Sequence, residues 1–188
     1  MHSSPCHRAA RAALIGAALA AACGDPFGLP RAVFEVQAET DTLYALDGTA
    51  LTLPSAFNLG DAQPIRTDRS TVFDFAFNID TLDQALLLPT GALGLPRGSG
   101  IRVMTVPIDS IKIAPTRGYT DTAAVKVDRG SVVVIRSRPF TCSFGTTAFL
   151  YAKLRVLAVH PGERRLAFEI HVNRNCGYRS LEPGLPRR

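Results

Sequence analysis

The sequence predicts an all-β domain: a twisted, two-sheet, sandwich-like fold of roughly nine to eleven strands that ends in a C-terminal hairpin. Three observations lead there. Stretch after stretch alternates apolar with polar side chains at the two-residue period of a half-buried strand, and Gly, Pro and Asp residues punctuate these stretches as turns. Beyond residue 22 no run carries the helical period. Strands with one dry face need a second sheet to cover it, and a sandwich supplies that cover.

The clearest pair of strands lies over residues 149–159 and 165–172. Leu150, Ala152, Leu154, Val156 and Ala158 form one dry face, continued by Leu166, Phe168, Ile170 and Val172; Lys153, Arg155, Glu169 and His171 occupy the wet face. Pro161, Gly162 and Glu163 make the turn. Placing Ala158 opposite Leu166 puts Arg155 opposite Glu169, a mildly stabilising cross-strand pair. Cys142 and Cys176 bracket this hairpin, and a bridge between them would close a loop of roughly 35 residues and contribute about 4 kcal/mol. Gly145 eases the chain reversal that Cys142 needs to reach its partner. The alternative is a pair of reduced, buried thiols.

The N-terminus stands apart. Arg8 and Arg11 precede a short apolar run over residues 12–22, and Cys23 follows three alanines. That run is too short for an ordinary membrane-spanning helix and reads as an export signal, which favours disulfide formation downstream. It resembles a bacterial lipoprotein signal, with cleavage before Cys23 and lipidation of that cysteine; a plain secretory signal is the alternative. The expected organisation is a signal over 1–22, a lipidated cysteine and tether over 23–31, one all-β domain over 32–178 and a tail over 179–188. The formal charge of +5 in 188 residues falls to 19 − 16 = +3 when the two arginines of the signal are removed. Arginines are interspersed with acids and form no basic stripe, so the charge argues against a nucleic-acid partner. The expected place is the cell envelope, at the outer membrane, facing the periplasm or the cell surface.

The remaining elements follow in order. Residues 32–39 read as a first strand with Phe34, Val36 and Ala38 on one face. Asp47-Gly48 predicts a two-residue hairpin that gathers Tyr44, Leu46, Leu51 and Leu53. Residues 55–70 read as a surface connection. Phe73, Phe75, Phe77 and Ile79 mark a central strand whose opposite face exposes Asp74. A short strand over 85–88 leads into a glycine-rich loop over 90–100, which lacks the spacing and the lysine of a phosphate-binding loop. Short strands over 101–106 and 110–114 come next, and residues 123–127 and 131–138 read as partners across the Asp128–Gly130 turn.

Taken together, residues 73–80, 113–122, 132–138, 151–159 and 165–172 resemble, in order and spacing, the HmuY family of lipid-anchored bacterial envelope proteins, some of which capture heme. The resemblance implies a non-enzymatic β-domain with heme as its cofactor or ligand, bound between axial side chains. Met104, His160 and His171 are the candidate iron contacts, and the loops over 90–110 and 140–147 are the expected rim of the site, with Gly91, Gly94, Gly98 and Gly100 free to shape it. His160 at the turn and His171 far down the strand lie too far apart to clamp one iron in the expected register. The competing reading is a structural β-module, or one that binds a protein or glycan of the envelope. A hydrolase built from Ser143, His171 and Asp128 is the remote alternative, because no nucleophile elbow surrounds the serine. Zinc held by Cys142 and Cys176 with histidine lacks compact ligand spacing.

Overall fold

The computed structural model describes residues 29–96, 98–142 and 145–187. Cys23, the expected signal over residues 1–22 and Ser143 lie outside the described residues. Twelve strands form two five-stranded antiparallel sheets and a two-stranded ribbon. The first sheet runs in the order β1 (Ala38–Tyr44), β12 (Arg165–Asn173), β11 (Tyr151–His160), β8 (Val132–Arg136), β6 (Gly100–Met104). The second runs β3 (Gln63–Ile65), β2 (Ala56–Asn58), β4 (Phe75–Ile79), β5 (Ala85–Pro89), β7 (Val125–Lys126). The ribbon pairs β9 (Phe140–Thr141) with β10 (Thr147–Ala148).

The two sheets face one another across a core that takes Phe57, Phe75 and Phe77 from the second and Leu154, Phe168 and Ile170 from the first. Phe57 stacks on Phe75 at 5.5 Å, and both meet Phe168 edge to face at 5.9 and 6.3 Å, so one aromatic cluster joins the layers. The β11–β12 hairpin follows the period-two reading, and Arg155 is paired with Glu169. Nearer the turn, Ala158 pairs with Ala167 instead of Leu166, because a bulge between Val156 and Ala158 shifts the register by one residue. Beyond the bulge Val159, not Ala158, packs against the core.

Several local expectations are overturned by pairing at long range. Asp47-Gly48 does turn, with Gly48 at φ 74°, but β1 returns to β12 and not to residues 49–53, and Leu51 is exposed. Leu43 and Ala45 reach the core where Tyr44 and Leu46 were expected. β1 begins at Ala38; Val36 makes a single bridge to Gly184, and Phe34 is exposed. The polar stretch over 55–70 contains the β2–β3 pair and buries Phe57 fully. Residues 110–114 form no strand beyond a bridge at Ile113. β7 pairs with β5 and β8 with β6 and β11, so the Asp128–Gly130 turn passes the chain from one sheet to the other.

The outer face of the first sheet is also covered. Ile108, Ile111, Ala114 and Leu181 pack on Val132, Val134 and Tyr151 to form a second, smaller core. Residues 179–187, expected as a tail, take part in it: Ala114 N–H donates to the Arg179 carbonyl at 2.7 Å and Leu181 N–H to that of Lys112 at 2.7 Å.

Candidate functional site

The expected iron contacts do not converge. His160 ends β11 opposite Arg165, partly buried beside the turn. His171 pairs with Lys153 at the other end of the hairpin, seven positions along β11, or about 23 Å away. Met104 lies at the end of β6, opposite Val132, and packs against the smaller core. Met104 and His171 therefore sit on the two sides of β8 and β11, beneath the covering segment. Among the described residues no group of three or more His, Cys, Asp or Glu side chains could hold a metal ion. Of the hydrolytic set, Asp128 is exposed in the turn after β7, and His171 is buried on β12.

Lys153, expected to project into solvent, is 2 % exposed; its Nζ donates to the carbonyls of Ile108 and Ile111, both at 3.2 Å. His171, also expected on a wet face, is 5 % exposed and holds Glu169 through Nε2 at 2.8 Å. Burial pushes the Glu169 pKa up, but the hydrogen bonds and charges of His171 and Arg155 outweigh it and hold the carboxyl below the usual range. Asp74 was expected to be exposed and is 2 % exposed. It accepts hydrogen bonds from Leu59 N–H at 2.7 Å and from Arg138 N–H at 2.8 Å, and pairs with Arg138 Nε at 3.3 Å. Burial raises its pKa, and these donors pull against that rise. Both backbone partners lie in connections, so Asp74 pins two loops.

The surface that presents chemistry lies where the N-terminal segment crosses the C-terminal strand end. Asn175 clamps that segment: its Oδ1 accepts from Val33 N–H at 2.7 Å and Phe34 N–H at 3.0 Å, while its Nδ2 donates to the Phe34 carbonyl at 2.7 Å. Tyr178 Oη donates to the Pro30 carbonyl at 2.8 Å. Arg174 spreads over the Phe34 ring at 4.5 Å and donates through Nε to the Gly60 carbonyl at 2.9 Å. The disulfide between Cys142 and Cys176, with Cα atoms 5.9 Å apart, brings the β9–β10 ribbon and its Phe140 to the same place. Gly145, at φ 74°, completes the reversal that the sequence anticipates there.

These contacts leave a depression of about 310 Å³ lined by Val33, Phe34, Phe140, Arg31, Arg174 and the disulfide. Phe34 and Phe140 are each 42 % exposed. A second depression of about 290 Å³, lined also by Glu35 and Glu39, shares Phe34 and Arg174, and a third of about 230 Å³ shares Phe140, so the three adjoin along one trough. Of the two loops expected at the rim, residues 140–142 line the trough, whereas residues 90–110, with Gly91, Gly94, Gly98 and Gly100, are not among its lining residues; Gly98 lies behind it against Pro139, where a Cβ would come within 2.8 Å of that ring. The sequence reading placed Phe34 in a strand core and passed over Arg174 and Asn175. For Phe140 the available signal was its place directly after Pro139; Phe34 carried none, since it alternates with Val36 and Ala38. No protein-family model matches the chain, and no curated protein matches it.

Proposed function

We propose that this chain is a non-enzymatic binding module of the bacterial envelope, tethered through Cys23, that takes an amphiphilic ligand in the trough between Phe34 and Phe140. One observation carries the reading: two half-exposed phenyl rings line a depression whose floor is fixed by Asn175 and the disulfide, with Arg31 and Arg174 at its edge. Rings of this kind accept an apolar body by contact and stacking, and the guanidinium groups accept a carboxylate or phosphate at its end. A rigid floor lowers the ordering cost of binding. Heme, a flat apolar ring with two carboxylates, has this chemistry, and the resemblance to the HmuY family makes it the first probe. Held here, it would rest on ring contacts and arginine instead of a pair of axial side chains.

Titration of the purified protein with heme, followed at the Soret band, tests this. The expected result is a saturable shift that Phe34→Ala and Phe140→Ala each weaken by about tenfold and that Met104→Ala and His171→Gln leave unchanged. Dependence on Met104 or His171 would move the ligand to the covered outer face of the first sheet. If neither heme nor a fluorescent fatty acid binds, the amphiphile reading falls and a protein or glycan partner takes its place.

A further inference from the structure

The trough is one part of a larger apolar and basic end of the domain. A groove beside it is lined by Leu29, Ile113, Gly177, Tyr178 and residues 179–187, and it meets the trough at Tyr178. Among the described residues eleven large apolar side chains are exposed, and six of them line these two adjoining depressions: Leu29, Val33, Phe34, Ile113, Phe140 and Leu185. Such clustering is unusual for a surface that meets only water. Four arginines, Arg31, Arg174, Arg179 and Arg187, line these two depressions with one acid, Glu182, which is paired with Lys112 at 3.4 Å; Arg179 is held on the Ala114 carbonyl, and the neighbouring depression at Phe34 adds Glu35 and Glu39. Leu29 is six residues from Cys23, so an extended chain reaches at most about 20 Å between them.

We propose that this end of the domain seats directly on the anionic phospholipid surface to which Cys23 is tethered, with Phe34, Phe140 and Leu185 in the interfacial layer and the exposed Arg31 and Arg187 on the headgroup phosphates. The inference rests on the tether in the function proposed above and is independent of the ligand. So short a connection leaves the segment after Leu29 next to the bilayer, and the residues it finds there include those an interface accepts: aromatic and aliphatic side chains with the exposed Arg31 and Arg187 beside them. The trough then opens onto lipid, and an amphiphile reaches it without crossing water.

The test places the mature protein on phosphatidylcholine vesicles with and without phosphatidylglycerol and measures amide exchange by mass spectrometry, which also reads the modification of Cys23. On the anionic vesicles, exchange should slow over residues 29–34, 140–142 and 183–187. High salt should abolish the effect, and Arg31→Glu and Arg187→Glu, both at exposed positions, should weaken it by about fivefold each. Lys126→Glu, exposed on the other sheet, should change nothing. Equal exchange on both vesicles, protection elsewhere, or an equal effect of Lys126→Glu overturns the proposal. If Cys23 carries no lipid the tether fails, and co-sedimentation of the same protein with anionic vesicles then decides for the face, its absence against it. A failed heme titration leaves all of these readouts intact.

Discussion

The two faces of the first sheet are built by different means. Its inner face, turned to the second sheet, is apolar across β8, β11 and β12: Val133, Ile135, Ala152, Leu154, Val156, Leu166, Phe168, Ile170 and Val172. Its outer face mixes Val132, Val134 and Tyr151 with Lys153, Arg155, Glu169 and His171, and is covered not by strands but by residues 105–122 and 178–187. A sheet that covers another sheet satisfies its own backbone by pairing; an irregular segment does so only in part. Its carbonyls need donors from below, and Lys153 supplies them to Ile108 and Ile111. Arg136 serves the same cover differently, lying 5.1 Å from the Tyr119 ring and 4.7 Å from that of Phe149. A polar residue at an alternating position is therefore no sign of solvent when the cover is a loop.

The largest expected effect breaks the inner face. Phe168→Ala removes the edge-on partner of both Phe57 and Phe75 and should cost about 3–5 kcal/mol in chemical denaturation. A loss below 1 kcal/mol would mean that the aromatic cluster does not join the sheets. Next comes the outer cover: Leu181→Ala, in what the sequence presents as a tail, should cost about 2–4 kcal/mol and should raise amide exchange at Leu181 and Ala114, whose N–H groups bond across that cover. A surface-like effect within 0.5 kcal/mol would show that the cover is dispensable.

The smallest effect sharpens the contrast. Lys153→Met keeps the length of the side chain and takes a donor from two carbonyls, that of Ile111 and that of Ile108, the second of which keeps the Ile111 N–H at 3.1 Å, for about 1–3 kcal/mol. It should also change the pH dependence. Burial lowers the Lys153 pKa in the folded state, against the opposing pull of Asp109, Glu169 and Glu182. Between that folded value and the ordinary 10.5 the unfolded chain binds more protons, so stability contributed by this group rises as pH climbs through the window. Equilibrium unfolding at stepped pH should show that rise reduced in Lys153→Met. The comparison of the two proteins isolates the lysine, since burial pushes the Tyr119 phenol up and acts in the opposite sense above pH 10.0.

Sequence alone determined the fold class, the hairpin of β11 and β12 with its Arg155–Glu169 pair, the apolar face of β4 and the meeting of Cys142 with Cys176. Each of these rests on a period or a spacing that a single strand or a single turn must obey. What the tertiary structure decided was partnership: β1 with β12 instead of its own hairpin, β7 and β8 in different sheets, and the burial of Asp74, Lys153 and His171. The trough belongs to this second group, since Phe34, Phe140 and Arg174 lie far apart in sequence and meet only because Asn175 and the disulfide hold their segments together. Alternation states that a residue faces one side of a sheet; it carries no information about whether water, a strand or a loop lies on that side.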